Sequence, residues 1–398
     1  MEFYFNEIPL FNESKINMIK VLIKMIRRNR MLSNSKLGFG LMRLPKDKQG
    51  QIKLDEVQRM VDSYMERGFN YFDTAYVYEG SEEAIRQTLV EKYPRDVYTL
   101  ADKLPAWKLT CQEDVERIFQ ESLNRTGVDY FDFYLLHSVE KSHYPTYEKY
   151  QCFDFIQEMK KQGKIKYMGF SFHDDADFLD KVLTEHPEID FVQLQLNYLD
   201  WENGVIQSRR NYEVARKHHK PIIVMEPIKG GTLASFSDDI ERIYKDYAPQ
   251  KSIASWAMRY VASLDGVMTI LSGMSNAQQM NDNLDTMTHF EKINNEEAKL
   301  IKQVTDQVLS YPTIPCTKCR YCTPGCPMHI QIPDLFTAYN SAKMYGENRR
   351  YQTYYKDHST GDYQLAKACI ACGQCESVCP QHLEIISLLK EVSEVFDS

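Results

Sequence analysis

Eight of the ten cysteines in this 398-residue chain fall between Cys316 and Cys379, in two runs of identical spacing. Cys316, Cys319, Cys322 and Cys326 follow C-x₂-C-x₂-C-x₃-C, with Pro327 next; Cys369, Cys372, Cys375 and Cys379 repeat the pattern before Pro380. Three thiolates on one tight loop can bind three irons of a [4Fe–4S] cubane, leaving the fourth iron to a more distant thiolate. The cysteine before proline usually serves the other cluster. The expected sets are therefore Cys316, Cys319 and Cys322 with Cys379, and Cys369, Cys372 and Cys375 with Cys326. Structural zinc is the competing reading, but it prefers separated C-x₂-C pairs closing a tetrahedron, which a duplicated triplet fits poorly. Disulfides spread through a secreted chain do not cluster in this way. Two [4Fe–4S] clusters are the expected cofactors of this segment.

A second group sits earlier in the chain. Asp73 closes YFDTA, Lys103 closes TLADK and His137 closes FYLLH, each a polar residue ending an apolar run, and Tyr78 follows Asp73 by five positions. Singly, each has an ordinary structural account: a loop cap, a solvated ammonium, a core histidine. Placed together at one mouth, an acid, a cation, a carboxylate and an imidazole make a proton-transfer site.

The elements that would bring them together are read from periodicity. LGFGLMRL, YFDTA, YTLADK, FDFYLLH, KYMGFSF, FVQLQLN, PIIVMEP and VMTILSG are eight strand candidates between Leu37 and Gly273. Amphipathic stretches separate them, such as DEVQRMVDSYMERG, with Val57, Met60, Val61 and Tyr64 at helical spacing and Gly68 as a C-cap. The alternation predicts an α/β fold, a (β/α)₈ barrel over 36–310, whose strand ends converge on one face. A doubly wound sheet would want a glycine fingerprint after the first strand, but Arg43 stands where it needs a glycine. Tyr311 to Pro315 holds two prolines and reads as a linker into a final, mainly helical domain over 311–398. Residues 1–35 read as an extension whose INMIKVLIKMIRRNR stretch is apolar and then basic. A formal charge of -8 argues against a nucleic-acid partner. The longest apolar run is broken by Lys20 and Lys24, so no transmembrane segment is expected, and no basic n-region suggests a signal peptide.

The segments FDTAYVYEGSEE, ADKLP and YLLHS resemble the aldo-keto reductase superfamily, over roughly residues 36–290. The resemblance implies a catalytic tetrad of Asp73, Tyr78, Lys103 and His137, reducing an aldehyde or ketone with NADH or NADPH. Hydride attack on a carbonyl leaves an oxyanion that must be protonated, and a free tyrosine, titrating near ~10, is a weak acid at neutral pH. Lowering it by about two to three pH units takes roughly 3–4 kcal/mol, which an ammonium about 4 Å away at an effective dielectric near 20 supplies. Lys103 is expected in that role, with Asp73 holding it and His137 orienting the carbonyl. The resemblance also puts Ser171 and Gln193 on the nicotinamide carboxamide, and Glu226, Gly230 and Gly231 of EPIKGG at the pyrophosphate. Ser275, Asn276, Gln279 and Asn283 then face the adenosine. Phe172 replaces an asparagine common in the family. Gly273 and Gln279 replace the cations that clamp a 2′-phosphate, which favours NADH or dual use unless another cation, such as Lys229, substitutes.

The cysteine segment, with its long helical insertion between Cys326 and Cys369, resembles the α-helical dicluster ferredoxins. Hydride moves as an electron pair whereas each cluster passes one electron, and no flavin signature is present to split the pair. The expected function is NAD(P)H-dependent carbonyl reduction with two clusters for electron transfer, serving a redox partner such as a flavoprotein. One alternative is a redox-sensing or electron-carrier protein whose barrel binds nicotinamide nucleotide without significant turnover; another has the clusters as structural staples. Oxygen-sensitive clusters imply a cytoplasmic location. Trp107, Trp201 and Tyr76 are candidate walls of the substrate pocket.

Overall fold

Side chains alternate along each strand, and in this chain the alternation sorts two cores from one site. The structure is a computed structural model describing residues 36–397 apart from Lys48, Pro312 and 346–348. The proposed extension over 1–35 lies outside the described residues. Strands β1 (Leu37–Gly40), β2 (Tyr71–Asp73), β3 (Thr99–Pro105), β4 (Phe131–Val139), β5 (Ile165–Phe172), β6 (Phe191–Gln195), β7 (Ile222–Met225) and β8 (Val267–Ser272) close in chain order. The ladders are parallel, and β1 pairs with β8 to complete the barrel.

Phe72, Leu100, Tyr134, Leu136, Phe170 and Val192 pack with residues such as Val57, Met60 and Val61 of helix Leu54–Glu66. Burying each such side chain contributes about 1.5–3 kcal/mol. The opposite parity fills the barrel: Tyr71, Ala101, Phe133, Leu135, Phe191, Ile223 and Leu271 form a separate inner cluster. Gly169 belongs to this layer, where a Cβ would stand 2.6 Å from the Phe191 ring. Advancing two residues along the strands from Tyr71, Ala101, Leu135 and Phe191 keeps that parity and reaches Asp73, Lys103, His137 and Gln193. The inner layer thus turns from apolar to polar toward the carboxyl ends. Because β3 continues to Pro105 and β4 to Val139, Lys103 and His137 lie within their strands rather than closing them.

The cysteine segment has its own core. Ile314, Ile332, Leu335, Phe336, Tyr355, Ile385, Leu389 and Val392 pack together. They come largely from helices Ile332–Tyr345, Arg349–Asp357 and Ile385–Phe396 and from the loops between them. Among the described residues no helix is long and apolar enough to cross a membrane.

Candidate active site at the junction of barrel and cysteine segment

At the polar end of the barrel Lys103 is fully buried, its ammonium 2.5 Å from Asp73 Oδ1 and 2.6 Å from the Thr74 carbonyl. The same ammonium lies 4.9 Å from the centre of the Tyr78 ring, and the ring of His137 meets Tyr78 edge-on at 5.9 Å. The four expected residues are therefore one cluster. Burial and a further cation also act on their electrostatics. Tyr78 is pushed up, by burial and then by the Asp73 carboxylate, and the cation that opposes this is Arg43. Lys103 shares its charge with Asp73, in direct contact with it. Asp73 is itself raised by burial against the opposing pull of Lys103. Burial, and then Lys103, drive His137 well below its usual range, so it is a neutral imidazole suited to hydrogen bonding.

The cluster opens into a cavity of about 80 Å³ lined by Asp73, Tyr78, His137, Ser171, Gln193 and Glu226. Thr317, Cys319, Tyr321, Pro380 and Gln381 of the cysteine segment line the same cavity. The Tyr321 hydroxyl stands 3.5 Å from His137 Nε2, and Trp107, an expected wall, has its ring 5.1 Å from that of His137. Arg43 Nη2 donates to Glu226 Oε1 and to the Thr317 carbonyl, both at 3.1 Å. Gln195 and Gln381 exchange amide hydrogen bonds of 2.9 Å, and His382 Nε2 donates to the His173 carbonyl at 2.6 Å. Sequence reasoning missed Arg43, Thr317, Tyr321, Gln381 and His382, all of which act across the junction.

The nucleotide-binding expectations divide. Ser171 Oγ accepts from the Ser138 backbone at 2.8 Å, and Gln193 Oε1 is buried with no hydrogen-bond partner among the described residues. An orphaned buried acceptor beside a hydroxyl suits a carboxamide. EPIKGG, however, is spent on the junction. Glu226 pairs with Arg43, and Gly230, at φ 62°, is packed so closely that an added Cβ would lie 2.1 Å from the Thr317 carbonyl oxygen. Gly231, at φ 100°, has open space around it. Lys229 is not the free cation considered for a 2′-phosphate: it is buried 2.6 Å from Asp200. Asn276 caps helix Ala277–Thr288 through the Gln279 backbone, Gln279 accepts from the Ser275 backbone, and Asn283 donates to Ser272 at 2.7 Å. These four residues hold their own loop and do not line the cavity.

The cysteines gather around two further hollows. Cys316, Cys319, Cys322 and Cys379 line one, with Ile332 and Phe336; Cys326, Cys369, Cys372 and Cys375 line the other, with Ile330 and Leu389. The two loops share backbone form. Lys318, Arg320 and His329 have positive φ in the first, and Ala371, Gly373 and His382 have it at the equivalent places in the second. Such turns point amides at a sulfur, as Lys318 N does toward Cys316 Sγ at 3.4 Å. Burial pushes Cys316 up to about 11 and Cys319 up to about 12, so thiolates there need a strong positive centre. Four cysteines lining one apolar hollow are the number of thiolates an iron–sulfur cubane takes.

A model of the aldo/keto reductase family matches residues 36–306, and one of a 4Fe-4S dicluster domain matches 315–384. Among curated relatives, the uncharacterized oxidoreductase YqkF of Bacillus subtilis is 22% identical over 314 residues, covering 69% of this chain and 94% of that protein. The NADH-specific methylglyoxal reductase of Escherichia coli is 23% identical over 294 residues, covering 63% and 88%. Among solved structures, holo aldo-keto reductase AKR11C1 from Bacillus halodurans aligns with a TM-score of 0.55 at 22% identity, over 68% of this chain and 92% of that one. An aldo/keto reductase from Klebsiella pneumoniae in complex with NADP and acetate gives 0.55 at 18% identity, over 68% and 91%. At these identities the structural likeness speaks for the barrel fold.

Proposed function

We propose that this chain, which belongs to the aldo/keto reductase family and carries a 4Fe-4S dicluster domain, reduces a small aldehyde or ketone at the barrel mouth with NADH or NADPH. The observation that carries it is the convergence of Asp73, Tyr78, Lys103 and His137 on one cavity-lining cluster. Neutral His137 and the Tyr78 hydroxyl would hold the carbonyl oxygen, and Tyr78 would give it a proton as charge develops. Lys103 and Asp73 fix the floor beneath the Tyr78 ring, while Arg43 is the positive charge that eases proton loss from Tyr78. Ser171 and the orphaned Gln193 Oε1 would hold a nicotinamide carboxamide, and a reduced nicotinamide supplies the hydride when bound.

Cys316, Cys319, Cys322 and Cys379 would hold one cluster, and Cys326, Cys369, Cys372 and Cys375 the second. Bound clusters supply one-electron transfer, for which a flavoprotein is a suitable partner. The alternative, an electron carrier or sensor without significant turnover, has one observation in its favour: the cysteine segment sits on Gly230. Anaerobic, cluster-replete protein should be screened against aldehydes, ketones and artificial electron acceptors, alongside Tyr78→Phe. Loss of carbonyl turnover with nicotinamide binding retained is expected; unchanged turnover in Tyr78→Phe would remove the proton-donor assignment.

A further inference from the structure

The barrel mouth is asked to receive two things. Carbonyl reduction with NADH or NADPH needs a dinucleotide there, its nicotinamide near Ser171 and Gln193 and, as the family resemblance implies, its pyrophosphate along the Gly230 loop. The structure seats the cysteine segment there instead. Tyr321 and Gln381 line the same cavity as Ser171 and Gln193, and the Thr317 carbonyl occupies the space above Gly230 that even a methyl group would enter only at 2.1 Å. The side chains of Tyr321 and Gln381 thus stand in the cavity where the nicotinamide ring would lie. Nor is the seat incidental. Arg43 ties the Thr317 carbonyl to Glu226, and Gln381 joins a buried network in which Gln195 Nε2 also donates to Asp200 Oδ2 at 3.0 Å, while Asp200 pairs with Lys229.

We infer that the Thr317–Tyr321 loop and a nicotinamide dinucleotide compete for one site, so that the dinucleotide binds only when the cysteine segment has moved off the barrel mouth. This inference rests on the proposed nicotinamide chemistry and adds an order to it. The nucleotide-bound and cluster-docked forms are alternatives, and a small molecule held by Tyr78 and His137 meets the nucleotide in one form and the cluster loop in the other. By linkage, whatever binds the lifted form must weaken docking by the same factor by which docking weakens it.

Two measurements on the anaerobic full-length holoprotein test this. NADH and NADPH are titrated by fluorescence into the wild type and Gln381→Glu, which sets a carboxylate into the buried network beside Asp200. Hydrogen exchange of residues 313–323 in the wild type is followed with and without saturating nucleotide. The expected result is roughly fivefold or greater tightening in Gln381→Glu and faster exchange of the wild-type loop on nucleotide addition. Nucleotide binding by Gln381→Glu alone supports the same conclusion. Wild-type binding with the loop unchanged or better protected overturns the competition and leaves the nicotinamide chemistry standing, whether or not the variant folds. Absence of binding to both proteins overturns the nicotinamide chemistry and the competition with it.

Discussion

The hydroxyl of Tyr321, the residue before Cys322, lies 3.5 Å from Nε2 of His137, on the wall of the cavity that Tyr78 shares. A residue of the cysteine segment therefore lines the candidate site of the barrel. Trp107 completes this aromatic frame, its ring 6.4 Å from Tyr321 and 5.0 Å from His143. Its position predicts a role in substrate size. Trp107→Ala, beside His137 at the cavity's edge, should move the preference among aldehydes toward bulkier ones by roughly tenfold in relative kcat/KM, since even one methylene in an apolar pocket is worth about 1–3 kcal/mol of discrimination. Competition between a short aliphatic and an aromatic aldehyde would measure it, and an unchanged ratio would exclude Trp107 from the pocket wall.

The cysteine sets predict an effect at a distance in sequence. Cys379 lies with Cys316, Cys319 and Cys322 rather than with the loop it ends. In a protein whose Cys369, Cys372 and Cys375 are all replaced by Ala, the remaining cluster should survive Cys326→Ser and be lost on Cys379→Ser. Iron and acid-labile sulfide analysis, from about four irons to near none, reads the difference. The reverse pattern would mean that each loop keeps its own fourth cysteine.

The Asp73–Lys103 pair predicts a stability effect apart from catalysis. Both side chains are essentially buried, at 3% and 0% exposure, and Asp73 Oδ2 has no further partner among the described residues. Lys103→Met leaves the carboxylate buried and unpaired, which costs about 3–5 kcal/mol. The melting temperature should fall by several degrees along with turnover, whereas Asp73→Asn with Lys103→Met should recover part of the stability and none of the activity. Equal losses in the single and double variants would show that the pair is not coupled.

The barrel and the cysteine loops were legible because each depends on short-range order, as was the grouping of Asp73, Tyr78, Lys103 and His137 at one end of the barrel. Eight apolar runs carried the strands, and fixed spacing carried the thiols. Ser275 to Gln279 carries a second local meaning: an asparagine followed three residues later by glutamine is also a helix N-terminal signature, and Asn276 caps helix Ala277–Thr288. Arg43 was read only for failing a glycine pattern, because its partner carbonyl at Thr317 is 274 residues away and nothing local marks it. The electrostatics of Tyr78 were illegible for a related reason. Whether Lys103 can act on the phenol depends on how fully Asp73 neutralises it, and contact and burial are tertiary facts.

Acid should destabilise the junction in a definable window. Burial, and then His382 and His143, lower His173 from the ordinary 6.5 to about 3, and His137 is lowered in the same direction. The unfolded chain binds a proton at each of these histidines below about 6.5, whereas the folded protein refuses it at His173 until about 3. Protons therefore favour the unfolded state between those values: the contribution is complete above 6.5, shrinks as pH falls, and changes no further below about 3. Because the His173 carbonyl also receives His382, the cysteine segment should loosen in the same range. Melting temperatures of anaerobic holoprotein from neutral pH downward should decline with a steeper slope for the wild type than for His173→Gln, which has no proton to take up. Parallel slopes would show that His173 carries no charge-burial cost, and the junction's acid sensitivity would then have to come from elsewhere.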